Sequence, residues 1–304
     1  MRIGVDIGGT FTDLVALGAD GQARTLKIAS TPSDYGIAIV DGVCRLLAES
    51  GLEARDVAEI VHATTVVTNT ILEGKGARTA FVVTRGFRDL LGMRRLRIPV
   101  LYDLRYCKPP PLVPRALCFE APGRLGPDGA EWEPIDAVRL QAVVERVAAV
   151  APEAVAICLL HAYANDRHER IVEEALRTCL GPAVPILRSS AVLPEIREYE
   201  RASTTVVSAT VAPVVARYLS RLESRLRGAG ITAPLTLVQS NGGAISPASA
   251  VSRPALLLES GPAAGVIAAA RAAGLAGVRD AIAFDMGGTT AKAALIENAE
   301  PARA

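Results

Sequence analysis

The sequence predicts an α/β protein with more than one domain. A glycine-turned hairpin pattern occurs twice, once near each end of the chain. Between the two copies, strand-like and helix-like runs alternate. The chain has 304 residues, 50% hydrophobic and 21% charged, enough apolar material for two cores and too apolar for disorder.

The first copy reads Ile3-Gly4-Val5-Asp6-Ile7-Gly8-Gly9-Thr10-Phe11-Thr12-Asp13. The second reads Ile282-Ala283-Phe284-Asp285-Met286-Gly287-Gly288-Thr289-Thr290-Ala291-Lys292. In each, an apolar run and an Asp lead into a Gly-Gly turn, hydroxyl residues and further strand residues, the pattern of a β-hairpin. Without a Cβ, Gly8, Gly9, Gly287 and Gly288 let backbone N–H groups approach an anion closely. Thr10, Thr12, Thr289 and Thr290 add hydroxyl donors, and Asp6 and Asp285 are carboxylates suited to a hydrated Mg²⁺. Two such hairpins facing each other would clamp a nucleotide triphosphate and its metal. Either copy alone is equally an ordinary turn; the repetition favours the phosphate reading. Asp13 either orients a reacting group or is a solvated hairpin carboxylate. Lys292, at the matching place in the second copy, either meets phosphate as a point charge or is an exposed strand lysine.

The remaining elements follow in order. A third strand is expected over 24–29 and a helix over 36–49, with Val40, Val43, Leu46 and Leu47 on one face. Residues 60–62 form a short strand. The polar cluster His62, Thr64, Thr65, Thr68 and Asn69 follows it, and either lines a substrate site or caps the next helix. A strand over 79–84 precedes a Pro-, Gly- and Arg-rich segment, 94–133, which reads as a long ordered excursion. Alternation resumes with a helix over 136–150, a strand over 154–159 and a helix over 166–180. Residues 182–194 look like a passage into a second domain, so the expected domains are 1–182 and 195–304. The second opens with a long helix carrying Val207, Val211, Val214, Tyr218, Leu222 and Leu226, which Pro213 kinks or divides. A strand over 235–238 ends at the polar turn Gln239 to Gly243, which makes Asn241 a substrate candidate. Ser260-Gly261-Pro262 opens another helix, capped by the Ser or the Gly.

Composition excludes some classes. Lys+Arg 33 against Asp+Glu 32 leaves no basic surplus, so no nucleic-acid partner is expected. The five scattered cysteines form no C-x-x-C pair and read as reduced thiols. No stretch is apolar and long enough to span a bilayer, and Asp6 interrupts any signal-type core, so a cytoplasmic location without membrane contact is expected. His161 and His168 are too loosely spaced for a metal site.

The two hairpins resemble those of the actin-like ATPase superfamily of actin, sugar kinases and heat-shock chaperones. A closer likeness runs through further motifs: His62-Ala63-Thr64-Thr65-Val66-Val67-Thr68-Asn69, Thr84-Arg85-Gly86-Phe87-Arg88-Asp89, Leu160-His161-Ala162-Tyr163-Ala164-Asn165, Gln239-Ser240-Asn241-Gly242-Gly243 and Ser260-Gly261-Pro262-Ala263. In these the chain resembles the hydantoinase/5-oxoprolinase family, which includes N-methylhydantoinase A and the acetone carboxylase beta subunit. The resemblance implies a ribonuclease-H-like (actin-like ATPase) domain followed by the beginning of a second, truncated ribonuclease-H-like domain. It implies ATP and Mg as cofactors, with Asp6, Asp13 and Asp285 in catalytic positions and the Gly and Thr turns, with Lys292, on the phosphates. It implies ATP-dependent phosphorylation of a cyclic amide or imide carbonyl for ring opening. Partners would be that small molecule and a hydantoinase B-type subunit or a missing C-terminal half. Many hydantoinase-like members have Asp where Lys292 sits, so a ketone substrate, as in the carboxylases, stays open. So does a non-catalytic nucleotide-binding subunit or a fragment.

Overall fold

A computed structural model describes residues 1–97, 102–286 and 291–302. The elements in chain order begin with β1 (Arg2–Ile7), β2 (Phe11–Leu17), β3 (Ala23–Ala29), α1 (Tyr35–Ser50), β4 (Glu59–Thr64) and α2 (Val66–Leu72). Then come β5 (Thr79–Thr84), α3 (Leu90–Met93), β6 (Cys118–Ala121), β7 (Arg124–Leu125), β8 (Glu131–Glu133), α4 (Ala137–Ala149), β9 (Ala154–Cys158), α5 (Arg167–Leu180), β10 (Ile186–Arg188) and α6 (Ser189–Val192). The long α7 (Glu198–Gly228) leads to β11 (Leu235–Val238), β12 (Ala244–Ile245), α8 (Pro247–Ser252), α9 (Ser260–Leu275), β13 (Ala281–Met286), β14 (Ala291–Glu297) and β15 (Glu300–Pro301).

The chain forms two compact units: Met1–Glu73 with Val215–Ala304, and Gly74–Val214. In the first, the strand order is β12-β11-β4-β1-β2-β3. The meander β1-β2-β3 is antiparallel, and β4 and β11 run parallel to β1. Five of these strands, β11-β4-β1-β2-β3, make the mixed sheet of a ribonuclease-H-like fold. That sheet is complete only when β11 returns to pair with β4, Leu235 opposite Ile60. The expected boundary at 182–195 therefore falls inside the second unit, because residues 235–238 belong to the sheet that begins at Arg2.

Alternation makes the core of the first unit. Ile3, Val5, Ile7, Leu14 and Ala16 point to one face and are buried against Ile39, Val43, Leu46 and Leu47 of α1 and Leu222 and Leu226 of α7. Asp34 caps α1 by accepting from Gly36 N, and Gly51 ends it in the left-handed region at φ 64°. Gly42 lets α1 lie directly on β2: a Cβ there would stand 2.6 Å from Leu14 Cδ1. A separate sheet, β13-β14-β15, carries the second hairpin, Asp285 opposite Lys292.

The second unit holds a parallel sheet in the order β10-β9-β5-β6. Val143, Val144 and Val147 of α4 and Val172 and Leu176 of α5 bury one face. Ala202, Val206, Ala209 and Ala212 of α7 bury the other. Two expectations are corrected here. The excursion over 94–133 supplies a sheet strand, β6, and the β7–β8 ribbon; residues 98–101 lie outside the described ones. The passage over 182–194 supplies β10 and α6, because the apolar pair Ile186-Leu187 pairs with β9. Helix α7 continues through Pro213, and the boundary between units follows at Val214. The Thr210 carbonyl, one turn before the proline, accepts from Ala77 N at 2.8 Å. Arg201 is fully buried, donating Nη2 to Leu159 O at 2.6 Å. Cys118 and Cys158 are buried free thiols, and loss of hydration pushes both up to about 11. Among the described residues no helix is long and apolar enough to cross a membrane.

The two hairpins should respond differently to truncation. Leu14→Ala opens a cavity beneath α1 and should cost about 2–5 kcal/mol in a urea unfolding curve. Phe284→Ala, at an exposed position, should change stability by less than about 0.5 kcal/mol.

Candidate functional site

The turn between β1 and β2 is tight. Gly8 N donates to Phe11 O at 2.9 Å, and a Cβ on Gly8 would stand 3.1 Å from that oxygen. Ser30 fixes the turn from below: its N–H donates to Thr10 O and its Oγ donates to Gly8 O, both at 2.9 Å. Gly9 and Thr10 are exposed at the tip. Strand alternation then sorts the candidates by face. Asp6 and Asp13 are register partners and share the open face. Thr12 points the other way, fully buried, with Oγ1 2.9 Å from Ser30 Oγ. The structure does not bring its hydroxyl to the face that carries Asp6.

Asp13 is paired with Lys27 of β3, whose Nζ lies 2.7 and 2.8 Å from its two carboxylate oxygens. Asp285 of β13 faces Lys292 of β14, and the Lys292 ammonium forms an ion pair with Glu259. The two hairpins share one electrostatic environment. The Asp6 side chain is accessible, yet its carboxylate has lost part of its hydration. That loss, followed by the negative charges of Asp13 and Asp285, raises its pKa above the ordinary carboxylate value; Lys27 and Lys292 act in the opposite sense. Gly287, Gly288, Thr289 and Thr290 lie outside the described residues.

The start of α9 is locked beside Asp6. Ser260 Oγ accepts from Thr64 N and donates to Thr64 O, both at 2.9 Å, in a fully buried position. Gly261 comes so close that a Cβ would stand 2.9 Å from Asp6 Oδ1. The helix cap is neither the Ser nor the Gly but Glu259, at φ 56°. That conformation is unfavourable for a residue with a side chain by about 1–2 kcal/mol. It is held by Glu259 N donating to Thr68 Oγ1 at 3.2 Å. Sequence reasoning passed over Glu259. The available signal was a carboxylate directly before a Ser-Gly-Pro helix start.

The cluster at 62–69 turns inward. His62 is buried, and its Nδ1 lies 3.3 Å from Val5 O, which can only accept. Nδ1 therefore carries the proton, and Nε2 accepts from Tyr218 Oη at 2.5 Å. Loss of hydration lowers the His62 pKa from 6.5 to about 4 and raises that of Tyr218. Thr64 Oγ1 accepts from Val66 N, and Thr65 Oγ1 donates to Ile7 O and lies 3.4 Å from Asn69 Nδ2. These groups find partners within the protein and tie β1, β4 and α9 together. Asn241 stands apart on an exposed turn, its Oδ1 accepting from Gly243 N at 2.9 Å. Gly242 beside it, at φ 81°, leaves room for Ile267, whose Cδ1 would lie 2.2 Å from a Cβ.

Among the described residues no three His, Cys, Asp or Glu side chains are close enough to enclose an ion. One or two carboxylates acting through water, the usual setting for Mg²⁺ with phosphate, fit the Asp6–Asp285 pair.

Residues 2–180 match the hydantoinase/oxoprolinase N-terminal region, and residues 201–304 match hydantoinase/oxoprolinase. The chain belongs to the hydantoinase/oxoprolinase family. An uncharacterised protein of Methanocaldococcus jannaschii is 36% identical over 304 residues, 99% of this chain and 44% of its own length. Caprolactamase subunit alpha of Pseudomonas jessenii is 34% identical over 298 residues, 95% of this chain and 42% of its own. A crystal structure of ATP-dependent caprolactamase from that organism superposes with a TM-score of 0.86, at 32% identity, over 97% of this chain and 43% of the other. A nucleotide-free acetone carboxylase superposes with a TM-score of 0.88, at 27% identity, over 98% and 44%. The chain thus spans less than half the length of these relatives. The fold is that of these actin-like ATPase-type proteins.

Two pH dependences follow. Asp6 has a raised pKa, so its cost to folding is absent below the ordinary 3.8 and develops as pH rises through the raised value. Asp6→Asn should therefore stabilise the protein at pH 7 and lose that advantage near pH 3, as read from urea midpoints. His62 has a lowered pKa, so its contribution is present above 6.5 and is lost as pH falls towards about 4. In that window stability should fall by up to about 1.4 kcal/mol per pH unit, a slope His62→Gln should flatten.

Proposed function

We propose that the chain is the nucleotide-binding part of an ATP-dependent enzyme acting on a cyclic amide. The observation that carries this is the convergence of Asp6 and Asp285 from the two repeated hairpins in one unit. It is supported by the likeness to a subunit of caprolactamase, which is named for a lactam. Bound ATP would supply the phosphoryl group that turns an unreactive amide oxygen into a leaving group.

The chain's own residues hold and orient. Backbone N–H groups of the 8–10 turn and the hydroxyl of Thr10 bind phosphate oxygens, as do Gly287, Gly288, Thr289 and Thr290 from the second turn. Asp6 and Asp285 hold Mg²⁺ through water, and Asp13 orients the transferring end. Lys292 carries positive charge where negative charge gathers. Glu259 pairs with Lys292 at the start of α9 and would be released when that lysine turns to phosphate. His62, Thr64, Thr65 and Asn69 act behind the site by fixing β4 and α9. Asn241 is a polar group at the end of β11 for the substrate. The ring-opening step, and a hydantoinase B-type partner, belong to the rest of a complete enzyme, for which a cytoplasmic location is proposed.

A second reading has a specific observation behind it. The fold superposes on an acetone carboxylase with a TM-score of 0.88. The test assays the chain with the remaining polypeptide of a complete enzyme, following Mg·ATP-dependent phosphate release. Stimulation by caprolactam, 5-oxoproline or hydantoin is expected. Stimulation only by a ketone with bicarbonate would select the carboxylase reading, and no nucleotide binding by any combination would sink both. Asp285→Ala should lower turnover by about 10²–10³-fold at an unchanged unfolding midpoint.

A further inference from the structure

The parallel sheet of the second unit has a switch point that the hairpin site does not use. Its strand order is β10-β9-β5-β6. From β5 the chain passes to β6 on one side, then returns to lay β9 and β10 on the other. The two passages cover opposite faces. Leu91 and Val113, between β5 and β6, pack on the face that α7 covers. Val172 and Leu176 of α5, between β9 and β10, pack on the other. The carboxyl ends of β5 and β9 therefore flank a crevice, the usual place for a small ligand in an open α/β sheet.

The fully buried Arg201 of α7 lies at that point. Its Nη2 donates to the carbonyl of Leu159, the residue after β9. Its Nε and Nη1 are buried and have no hydrogen-bond partner among the described residues. The neighbouring groups do not neutralise it. Glu198 Oε1 stands 3.9 Å away on a partly exposed side chain. The buried Glu169 carboxylate already accepts from Leu159 N, Ser189 Oγ and Ser190 N. The Cys158 thiol, pushed up to about 11 by lost hydration, stays neutral and is a weak acceptor. Over the guanidinium lies the half-buried ring of Tyr163, its centroid 5.3 Å from Cζ. Tyr163 Oη lies 3.3 Å from Nδ1 of His161, which is held at φ 57°, a costly conformation for a residue with a side chain. A cation taken out of water with N–H groups unmet is expensive unless an anion completes it.

We propose that the crevice at the carboxyl ends of β5 and β9 binds a small carboxylate monoanion, with Arg201 as its counter-ion and Tyr163 as its cover. One buried cation neutralises one charge, and a phosphate dianion would leave a net negative charge in the interior. A planar guanidinium also suits a planar carboxylate. Helix α7 begins here, so its first N–H groups add partial positive charge. Its acidic first-turn residues are drawn aside: Glu200 pairs with Arg95, and Glu198 reaches Arg201 only at the edge. Entry requires Tyr163 to turn. Bicarbonate and an organic carboxylate share this chemistry.

The test reads the arginine itself, so it depends on neither turnover nor nucleotide. The chain, labelled with ¹³C,¹⁵N-arginine, is titrated with sodium formate, sodium acetate and sodium bicarbonate at constant ionic strength, with sodium chloride and sodium phosphate as comparison salts. The Nε–H resonance of Arg201 is assigned by its loss in Arg201→Met. A saturable shift of that resonance is expected with formate, acetate or bicarbonate where chloride has no effect. Response to formate and acetate identifies an organic carboxylate as the ligand; response to bicarbonate alone identifies bicarbonate. In Tyr163→Ala, hydrogen exchange at Arg201 Nε should quicken on the order of 10-fold, and the bound anion should slow it again. Circular dichroism and the unfolding midpoint show that the variant folds. No saturable shift in either the parent or Tyr163→Ala would overturn the proposal. So would an equal response to chloride, or a stronger one to phosphate.

Discussion

The staple between Ser260 and Thr64 is the contact on which the candidate site depends. One hydroxyl satisfies both the N–H and the carbonyl of Thr64 at the end of β4. It thereby fixes where α9 begins, and α9 leads directly to β13 and the second hairpin. The fit leaves no slack, because Gly261 passes Asp6 at a distance that excludes a side chain. A buried hydroxyl with both of its bonds made is costly to disturb, since either loss leaves a backbone group without a partner. The strained Glu259 is the residue displaced to satisfy this geometry.

Behind the staple lies a second layer of buried polar contacts. Tyr218 of α7 reaches His62 of β4, and His62 reaches Val5 of β1. These bonds connect a helix and two adjacent strands directly beneath the Asp6 turn. Holding His62 neutral is what permits such a chain in an apolar interior, because a charged imidazole there would lack a counter-ion. Rigidity at the back and accessible carboxylates at the front are complementary. The back supplies the fixed frame on which the front carboxylates stand.

Much of this was legible in the sequence, and what escaped has physical reasons. Both hairpins, α1, α4, α5 and the strand at 79–84 follow from local periodicity. The course of the first sheet does not, because β11 joins β4 across more than a hundred intervening residues and no local pattern records that pairing. β10 was missed because a three-residue strand directly after Pro185 gives too short a period to read. Thr12 was readable: it alternates with Asp13 and falls in step with Leu14 and Ala16, which places it in the core. The cluster at 62–69 was recognised as needing partners, but polar composition does not say whether those partners are protein or ligand. The left-handed turn at Glu259 carries no signal at all in a residue type that seldom adopts it.

The charges around the two hairpins explain how a polyanion could enter a face that already carries three aspartates. Each nearby lysine is matched by a carboxylate: Lys27 by Asp13 and Lys292 by Glu259. Both pairs are partly exposed, and such pairs contribute only about 0–1 kcal/mol. Exchanging a carboxylate for a phosphate oxygen on either lysine would therefore give up little pair energy, but the carboxylate released beside the incoming group would need a cation of its own. Asp6, whose raised pKa records repulsion from Asp13 and Asp285 on top of lost hydration, would be relieved in the proposed function by a divalent cation arriving with the anion. In the proposed function, an arrangement that disfavours its own negative charge would favour a metal–anion pair over an anion alone.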